Sequence, residues 1–158
     1  MSAPNFDPTI PIISLWAPWA NWVILGWKTV ETRRHNKLAG LDGKIIGIHV
    51  TQKWDDLAID AARPYLTESQ LYRTSCFLRI GGAILGTARV EWTSKSPLGP
   101  EFSAAALIEC NTPRYGLGLG DPQIIEAIPC RGKQGIWYYR DVELAGSEQK
   151  EKQVESGH

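Results

Sequence analysis

The chain has 158 residues, of which 43% are hydrophobic and 22% are charged, and its formal net charge is zero. This length suits one domain, and the composition is typical of a soluble globular protein and unlike a disordered or fibrous one. A net charge of zero argues against a protein that coats DNA through basic charge over its whole surface.

The cysteines and the amino terminus bear on the cellular compartment. Cys76, Cys110 and Cys130 show neither CxxC nor Cys/His ligand spacing, so we predict no disulfide framework and no structural zinc site. The amino terminus lacks a basic segment followed by an apolar one, and the longest apolar run, 12–27, is interrupted by Pro18. We therefore predict a cytoplasmic protein without an export signal or a membrane span.

The first predicted elements precede the basic part of the chain. Residues 1–11 contain three prolines and no periodicity, which predicts an extended lead-in. The apolar run 12–16 favours a buried strand. Pro18 suits the first turn of a short helix that Gly26 ends. Alternation over 29–34 then predicts a strand with one charged face, directed toward solvent or a cleft.

Further elements are predicted along the rest of the chain. Alternation predicts a strand over 44–51, residues 54–65 suit an amphipathic helix, and Thr67 followed by Gln70 resembles the capping box of another helix. Strands are also predicted over 80–93, 114–119 and 135–142, whereas 102–107 is ambiguous. Because strands outnumber short helices and no βαβ rhythm is visible, we predict an α+β, β-rich fold, a small barrel surrounded by short helices.

The domain boundaries follow from composition. The folded domain is predicted to span 12–144. Residues 145–158 carry many charges and one aliphatic residue after the first alanine. Such a segment buries too little apolar surface to become ordered, so we predict a disordered carboxy-terminal tail.

Basic charge is concentrated between Gly26 and Trp54. This stretch holds six lysines and arginines and two acidic residues, an excess of four positive charges. Such a patch can bind an anion such as nucleic acid, and it can equally be a solvated face. Charge alone leaves both interpretations open.

Several ordered segments resemble one known family. They are SLWAPWA (14–20), LGWKTVETR (25–33), IHVTQKW (48–54), the stretch 86–92 and IPCRGKQGIW (128–137). Together these segments resemble the ASCH (activating signal cointegrator homology) domains and cover most of residues 12–140. The resemblance implies a PUA-like β-barrel with helices beside it and a basic cleft between them, together with RNA-related functions.

The family resemblance does not by itself fix a reaction. Its members include a coactivator component, proteins with ribonuclease activity and small bacterial amidohydrolases that deacetylate N(4)-acetylcytidine. In the amidohydrolases the position three after the signature lysine looks like threonine, whereas here it is Glu31. The Arg114-Tyr115 pair is present, but glycines follow it in place of bulky residues.

Three charged residues fall on the family signature: Lys28, Glu31 and Arg33. A bend after Gly26 can bring them to one cleft, where lysine and arginine suit phosphate. A lysine in a partly dry site can act as a base or nucleophile, with Glu31 relaying a proton. The alternative is a structural ion pair between Lys28 and Glu31. As a long cation after a turn, Lys28 is expected to lie outside the core.

Two further candidates lie on the 44–51 strand and at its exit. His49 can act as a general acid or base because an unperturbed histidine titrates near neutrality, and a hydrogen-bonded core histidine is the alternative. Lys53 suits a phosphate contact or an exposed surface position. Lys133 and Gln134, in a glycine-bounded loop, can read a base edge or cap the barrel.

Seven tryptophans offer surfaces on which unpaired bases can stack. Those in apolar runs are predicted to be core residues: Trp16, Trp22, Trp92 and Trp137. Those beside charged segments are the stacking candidates: Trp19, Trp27 and Trp54. The predicted catalytic residues are then Lys28, Glu31 and His49. The predicted nucleic-acid-binding residues are Lys28, Arg33, Lys53, Trp19, Trp27, Arg114, Tyr115 and Lys133.

The leading interpretation is a protein that holds single-stranded RNA in a basic cleft, with ribonuclease activity as an extension of that role. The alternatives are an amidohydrolase acting on a modified nucleoside and a noncatalytic RNA or protein interaction module. No metal-ligand cluster is visible, and Mg²⁺ is expected only for a ribonuclease, through RNA phosphates. The sequence indicates no specific protein partner and lacks the P-loop, GxSxG, HExxH and Rossmann motifs.

Overall fold

The computed structural model describes residues 6–76 and 81–142, and the predicted tail over 145–158 lies outside the described residues. Within the described ranges there are five strands, four α-helices and a further helical stretch at 139–142. The strands are β1 (Ile12–Ala17), β2 (Val30–Arg33), β3 (Ile45–Trp54), β4 (Ala83–Thr93) and β5 (Tyr115–Pro129). The helices are α1 (Trp19–Ile24), α2 (Ala58–Ala62), α3 (Glu68–Ser75) and α4 (Ser103–Ala106), with 3-10 turns at Ala39–Leu41 and Pro100–Phe102.

The strands form one mixed sheet in the order β1-β3-β4-β5-β2. β1 pairs with β3 in parallel, and the other neighbours are antiparallel. In a flat sheet the two edge strands would lie about 19 Å apart, four strand spacings. Instead Arg33 on β2 donates from Nη2 to the carbonyl oxygen of Ser14 on β1, at 3.1 Å. The sheet therefore curves so strongly that a side chain on one edge strand reaches the backbone of the other edge strand. The mixed sheet with its short helices confirms the predicted α+β fold class.

Residues 46–50 of β3 are all buried, so this part of the strand is covered on both faces. Ile46, Ile48 and Val50 belong to the main core cluster, which also contains side chains of β1, β4 and helix α1. The opposite face meets a second core cluster: Phe6, Ile12, Ile84, Ile128, Trp137 and Tyr139. The segment before β1, predicted as an extended lead-in, thus contributes Phe6 to the packing.

Local signals account for the helix starts. At the start of α3, Thr67 Oγ1 accepts from the Gln70 amide at 3.1 Å and Gln70 Oε1 accepts from the Thr67 amide at 2.9 Å. The predicted capping box is thereby confirmed. Helix α2 is shorter than the predicted 54–65 because pairing with β1 carries β3 on to Trp54. The helix can begin only after Asp55, whose carboxylate accepts from the Leu57 amide.

In the carboxy-terminal half, one predicted strand is wrong and another is longer than predicted. Residues 135–142 do not form a strand: Trp137 makes an isolated bridge to Ile12, and residues 139–142 are helical. The buried Trp137 indole fixes this segment through packing rather than through a ladder of backbone hydrogen bonds. In contrast, β5 continues to Pro129, far beyond the predicted 114–119, because irregularities in its pairing with β4 accommodate Gly120, Asp121 and Pro122.

Candidate functional site

A cleft of about 1300 Å³ opens beside β1, β2 and the end of β3, and the loop 130–135 forms its rim. Among the described residues, its basic lining side chains are Lys28, Arg33, Lys37, Lys53, Arg114, Arg131 and Lys133. The carboxylates that line it are Glu31 and Asp55. Four of the seven cations come from the basic stretch between Gly26 and Trp54. The lining is therefore strongly positive, in a protein whose formal net charge is zero.

The predicted trio converges at the bottom of this cleft. Lys28 Nζ lies 3.8 Å from Glu31 Oε2, and Arg33 Nε lies 3.6 Å from Glu31 Oε1. Gly26, with a φ of +79°, allows the turn after α1, and the Lys28 amide then bonds back to the Trp22 carbonyl. We call the group formed by Lys28, Glu31, Arg33 and the neighbouring Arg114 the cleft floor.

Lys28 is buried, and the expectation that it lies outside the core is wrong. Its side chain is only 2% exposed, because Nζ donates to the Ala106 carbonyl of α4 and lies 5.0 Å from the centre of the Trp19 ring. Burial lowers the pKa of Lys28, and the negative charge of Glu31 offsets part of this effect. A lysine with a lowered pKa exchanges protons more readily near neutral pH than an exposed lysine does.

Polar atoms of the cleft floor are buried without a hydrogen-bond partner among the described residues. They are Glu31 Oε2, Arg33 Nε and Arg114 Nε. The Glu31 side chain is 9% exposed and lines the cleft. Because buried polar atoms are nearly always hydrogen-bonded, these atoms point to a ligand or water at the floor. The floor offers both a carboxylate acceptor and guanidinium donors.

His49 lies in a fully bonded network beside the cleft. A backbone carbonyl can only accept, so Nε2–H donates to the Cys130 oxygen at 3.0 Å. Nδ1 then accepts from Ser14 Oγ at 3.1 Å, and that hydroxyl accepts from Trp137 Nε1 at 3.0 Å. Burial lowers the pKa of His49, which keeps the imidazole neutral. This geometry favours the core-histidine alternative over proton transfer.

Trp16 was predicted to be a core residue, and this prediction is wrong. Its side chain is 47% exposed and lines the cleft, with Lys53 Nζ 4.6 Å from the centre of its ring. Leu15 and Ala17, its neighbours on β1, point into the main core cluster, so alternation along the strand directs Trp16 outward. The apolar run 12–16 does not indicate this exposure, because Trp16 is exposed only where the end of β1 borders the cleft.

Comparison with known proteins tests the fold. No family model matches the chain, and no curated protein matches it. The solved structure of an ASCH protein from Zymomonas mobilis matches with a TM-score of 0.56 and 20% identity, covering 88% of this chain and 93% of that one. The chain has the ASCH fold. A serine-to-alanine and a tyrosine-to-phenylalanine variant of that protein, each 19% identical, give TM-scores of 0.51 and 0.52. The match to the serine-to-alanine variant covers 90% of this chain, and the match to the tyrosine-to-phenylalanine variant covers 88%; each covers 96% of the variant's chain.

On this ASCH fold the remaining tryptophans occupy different environments. Trp22 and Trp137 are buried as predicted, whereas Trp92 is half-buried. Of the three stacking candidates, Trp19 lines the cleft and donates from Nε1 to Asp55 Oδ2 at 2.8 Å. Trp27 lies away from the cleft lining, with the Arg73 guanidinium 5.1 Å from its ring centre. Trp54 packs against the main core cluster.

Some of the other predicted binding residues line the cleft and some do not. Arg114 lines the cleft and donates from Nη1 to Thr32 Oγ1 at 3.3 Å, and the exposed Lys133 lies on the rim. Tyr115 starts β5 opposite Arg33 and borders a separate small depression. Arg131 was missed, although it stands in the segment 128–137 that carries the ASCH resemblance.

The described residues bear on metals and membranes as well. Across 6–76 and 81–142, no group of three or more His, Cys, Asp and Glu side chains could hold a metal ion. Glu31 already faces two cations, which disfavours a divalent cation at its carboxylate. A requirement for Mg²⁺ bound through RNA phosphates stays a prediction. No helix within the described ranges is long and apolar enough to cross a membrane.

Proposed function

We propose that this protein binds single-stranded RNA in the basic cleft. The observation that carries the proposal is the lining of the cleft: among the residues that the structure describes, seven cations and two carboxylates surround a space of about 1300 Å³. Phosphate groups supply the complementary charge, and arginines offer forked donors that suit them. The ASCH fold supports RNA as the nucleic acid, through the resemblance described above.

Aromatic side chains in the same cleft favour unpaired nucleotides over a duplex. Trp16 and Trp19 both line it. Base stacking on aromatic rings requires bases that are free of a helical partner, and RNA-binding modules commonly combine such rings with a cationic groove.

The three cysteines, all within the described ranges, are free thiols, which is in keeping with a cytoplasmic location.

Binding can be measured by fluorescence anisotropy with a labelled single-stranded RNA, and with the same RNA in a duplex as the control. We expect tighter binding of the single strand. We also expect the logarithm of affinity to fall with the logarithm of salt, with a slope of about 0.7 per phosphate contacted. Affinity that does not change between low and physiological salt would contradict phosphate recognition and favour a nucleoside pocket.

A second candidate function is hydrolysis of an amide on a modified nucleoside such as N(4)-acetylcytidine. The observation that favours it is the buried Lys28 beside Glu31, whose Oε2 atom has no hydrogen-bond partner among the residues described. In this reaction Glu31 takes a proton from the water that attacks the amide carbonyl, and Lys28 donates a proton to the departing amine. The products are a carboxylic acid and the nucleoside amine.

One assay separates the candidates. The protein is incubated with labelled single-stranded RNA and, separately, with acetylated cytidine, each with and without magnesium. RNA cleavage would add ribonuclease activity to the binding function, and release of acetate would identify an amidohydrolase. Binding without either product would identify a noncatalytic RNA-binding module.

A further inference from the structure

An exposed tryptophan and a lysine form a pair within the cleft, apart from the ion pairs of the floor. Lys53 Nζ lies 4.6 Å from the centre of the Trp16 ring, within the range of a cation–π interaction. Both side chains line the cleft and both are exposed. The pair is therefore much more exposed to a ligand than Lys28 and Glu31, whose side chains are 2% and 9% exposed.

The backbone holds the two residues close together. They lie on neighbouring parallel strands, β1 and β3, and the register of these strands shifts between Leu15 and Ala17, on either side of Trp16. On β1 the adjacent residues are fixed in the main core cluster. The tryptophan is thus presented on a rigid strand, and a rigid platform loses little side-chain freedom when a ligand stacks on it.

The two side chains match two parts of one nucleotide. An indole ring presents a flat apolar face to a base, and an ammonium group presents a point charge to a phosphate. In the free protein the Lys53 ammonium lies over the Trp16 ring, so the two groups interact with each other. A nucleotide offers a stacking partner to the ring and a stronger anionic partner to the ammonium.

We infer that Trp16 and Lys53 form a one-nucleotide subsite, given that the cleft binds RNA as proposed above. An unpaired base stacks on the Trp16 ring, and the Lys53 ammonium moves from the ring to the phosphate of the same nucleotide. This subsite adds base contact to a cleft whose other contacts are mainly ionic, and it accepts any base because every base has a flat face.

The stacking half is tested by replacing Trp16 and by removing the bases. Affinity is measured for oligoadenylate and for a ribose-phosphate chain of the same length without bases. Wild-type protein should prefer oligoadenylate, and Trp16→Ala should reduce this preference about tenfold. Trp16→Phe should keep most of it. The matched control is Tyr72→Ala, which removes a 73% exposed aromatic side chain away from the cleft lining.

The phosphate half is tested by removing one charge. Lys53→Met keeps the apolar stem and should reduce the salt slope of binding by about 0.7, the amount expected for one phosphate contact on a single strand. The control is Arg73→Met, which removes a cation in the same arrangement over Trp27. This control should leave the salt slope unchanged.

The outcomes separate failure of the subsite from failure of RNA binding. If wild-type protein binds oligoadenylate with a salt slope but Trp16→Ala keeps the full preference for bases, the subsite is wrong and the binding proposal stands. An unchanged salt slope in Lys53→Met would likewise exclude its phosphate role. If wild-type protein binds neither oligomer, both proposals are wrong. Circular dichroism of each variant confirms that it is folded.

Discussion

The Nε2 atom of His49 donates to the carbonyl oxygen of Cys130 at 3.0 Å, and this bond connects strand β3 to the loop that forms the rim of the cleft. Arg131 and Lys133 follow directly on that loop, and both line the cleft. A buried, neutral histidine thereby helps to position two exposed cations. His49 acts on the cleft through the loop rather than through its own charge.

Replacing His49 should destabilise the protein and weaken RNA binding together. His49→Ala leaves the Cys130 carbonyl without its donor and the Ser14 hydroxyl without its acceptor, and it opens a cavity, so we expect a loss of about 2–4 kcal/mol in the free energy of unfolding. Urea denaturation measures this loss. The exposed His35→Ala is the control and should change stability by less than about 0.5 kcal/mol. Equal stability of the two variants would contradict the structural role.

The stability of the protein should depend on pH through His49. Burial lowers its pKa in the folded state below the ordinary value of 6.5, so the unfolded state binds the proton more readily. The contribution is therefore fully present above pH 6.5 and is lost as pH falls through the lowered pKa. We expect His49→Gln to lose less stability than wild-type protein between pH 7.5 and about 5. Parallel pH profiles would contradict this assignment.

Gly132 should not tolerate a larger side chain. A Cβ atom there would lie 2.5 Å from His49 Cε1 and 2.6 Å from Ser14 Oγ, too close for either atom. We expect Gly132→Ala to displace the loop, reduce stability by about 1–3 kcal/mol and weaken RNA binding. Gly40→Ala is the control, because a Cβ atom at Gly40 meets nothing within 4 Å. Thermal unfolding and anisotropy measure the two effects.

The charge of Lys28 should contribute to RNA affinity, whereas the volume of its side chain should contribute to the stability of the fold. Because Lys28 is buried, Lys28→Ala leaves a cavity, whereas Lys28→Met fills most of the same space and removes only the charge. We expect Lys28→Met to remain folded and to lower RNA affinity at least tenfold, about 1.4 kcal/mol. Wild-type affinity in a folded Lys28→Met protein would show that the charge of Lys28 does not contribute to RNA binding.

Glu31→Gln should separate binding from hydrolysis. The substitution keeps the shape of the side chain and removes a negative charge beside Lys28 and Arg33. RNA affinity should be retained or increase, because repulsion of phosphate is relieved. Any hydrolysis of acetylated cytidine should fall by at least a hundredfold, since the proton acceptor is lost. Full hydrolysis in this variant would contradict the proton-transfer role of Glu31.

The sequence by itself determined those features that depend on neighbours along the chain. The capping box of Thr67 and Gln70, the turn at Gly26 and the alternation of β3 follow from contacts a few residues apart, so they were predicted correctly. The cluster of Lys28, Glu31 and Arg33 was also predictable, because two residues on one face of a short strand lie close together and the turn directs the lysine toward them.

The tertiary structure decided which side chains are buried and which face the cleft. Lys28 is buried because α4, which is distant in sequence, and Trp19 at the start of α1 cover it. Trp16 is exposed because the cleft opens where β1 ends, which its apolar neighbours do not reveal. Residues 135–142 form no strand because Trp137 docks on the second core cluster instead of extending the sheet. Burial is set by surfaces that meet only when the sheet curves, and a periodic pattern in the chain cannot specify which surfaces these are.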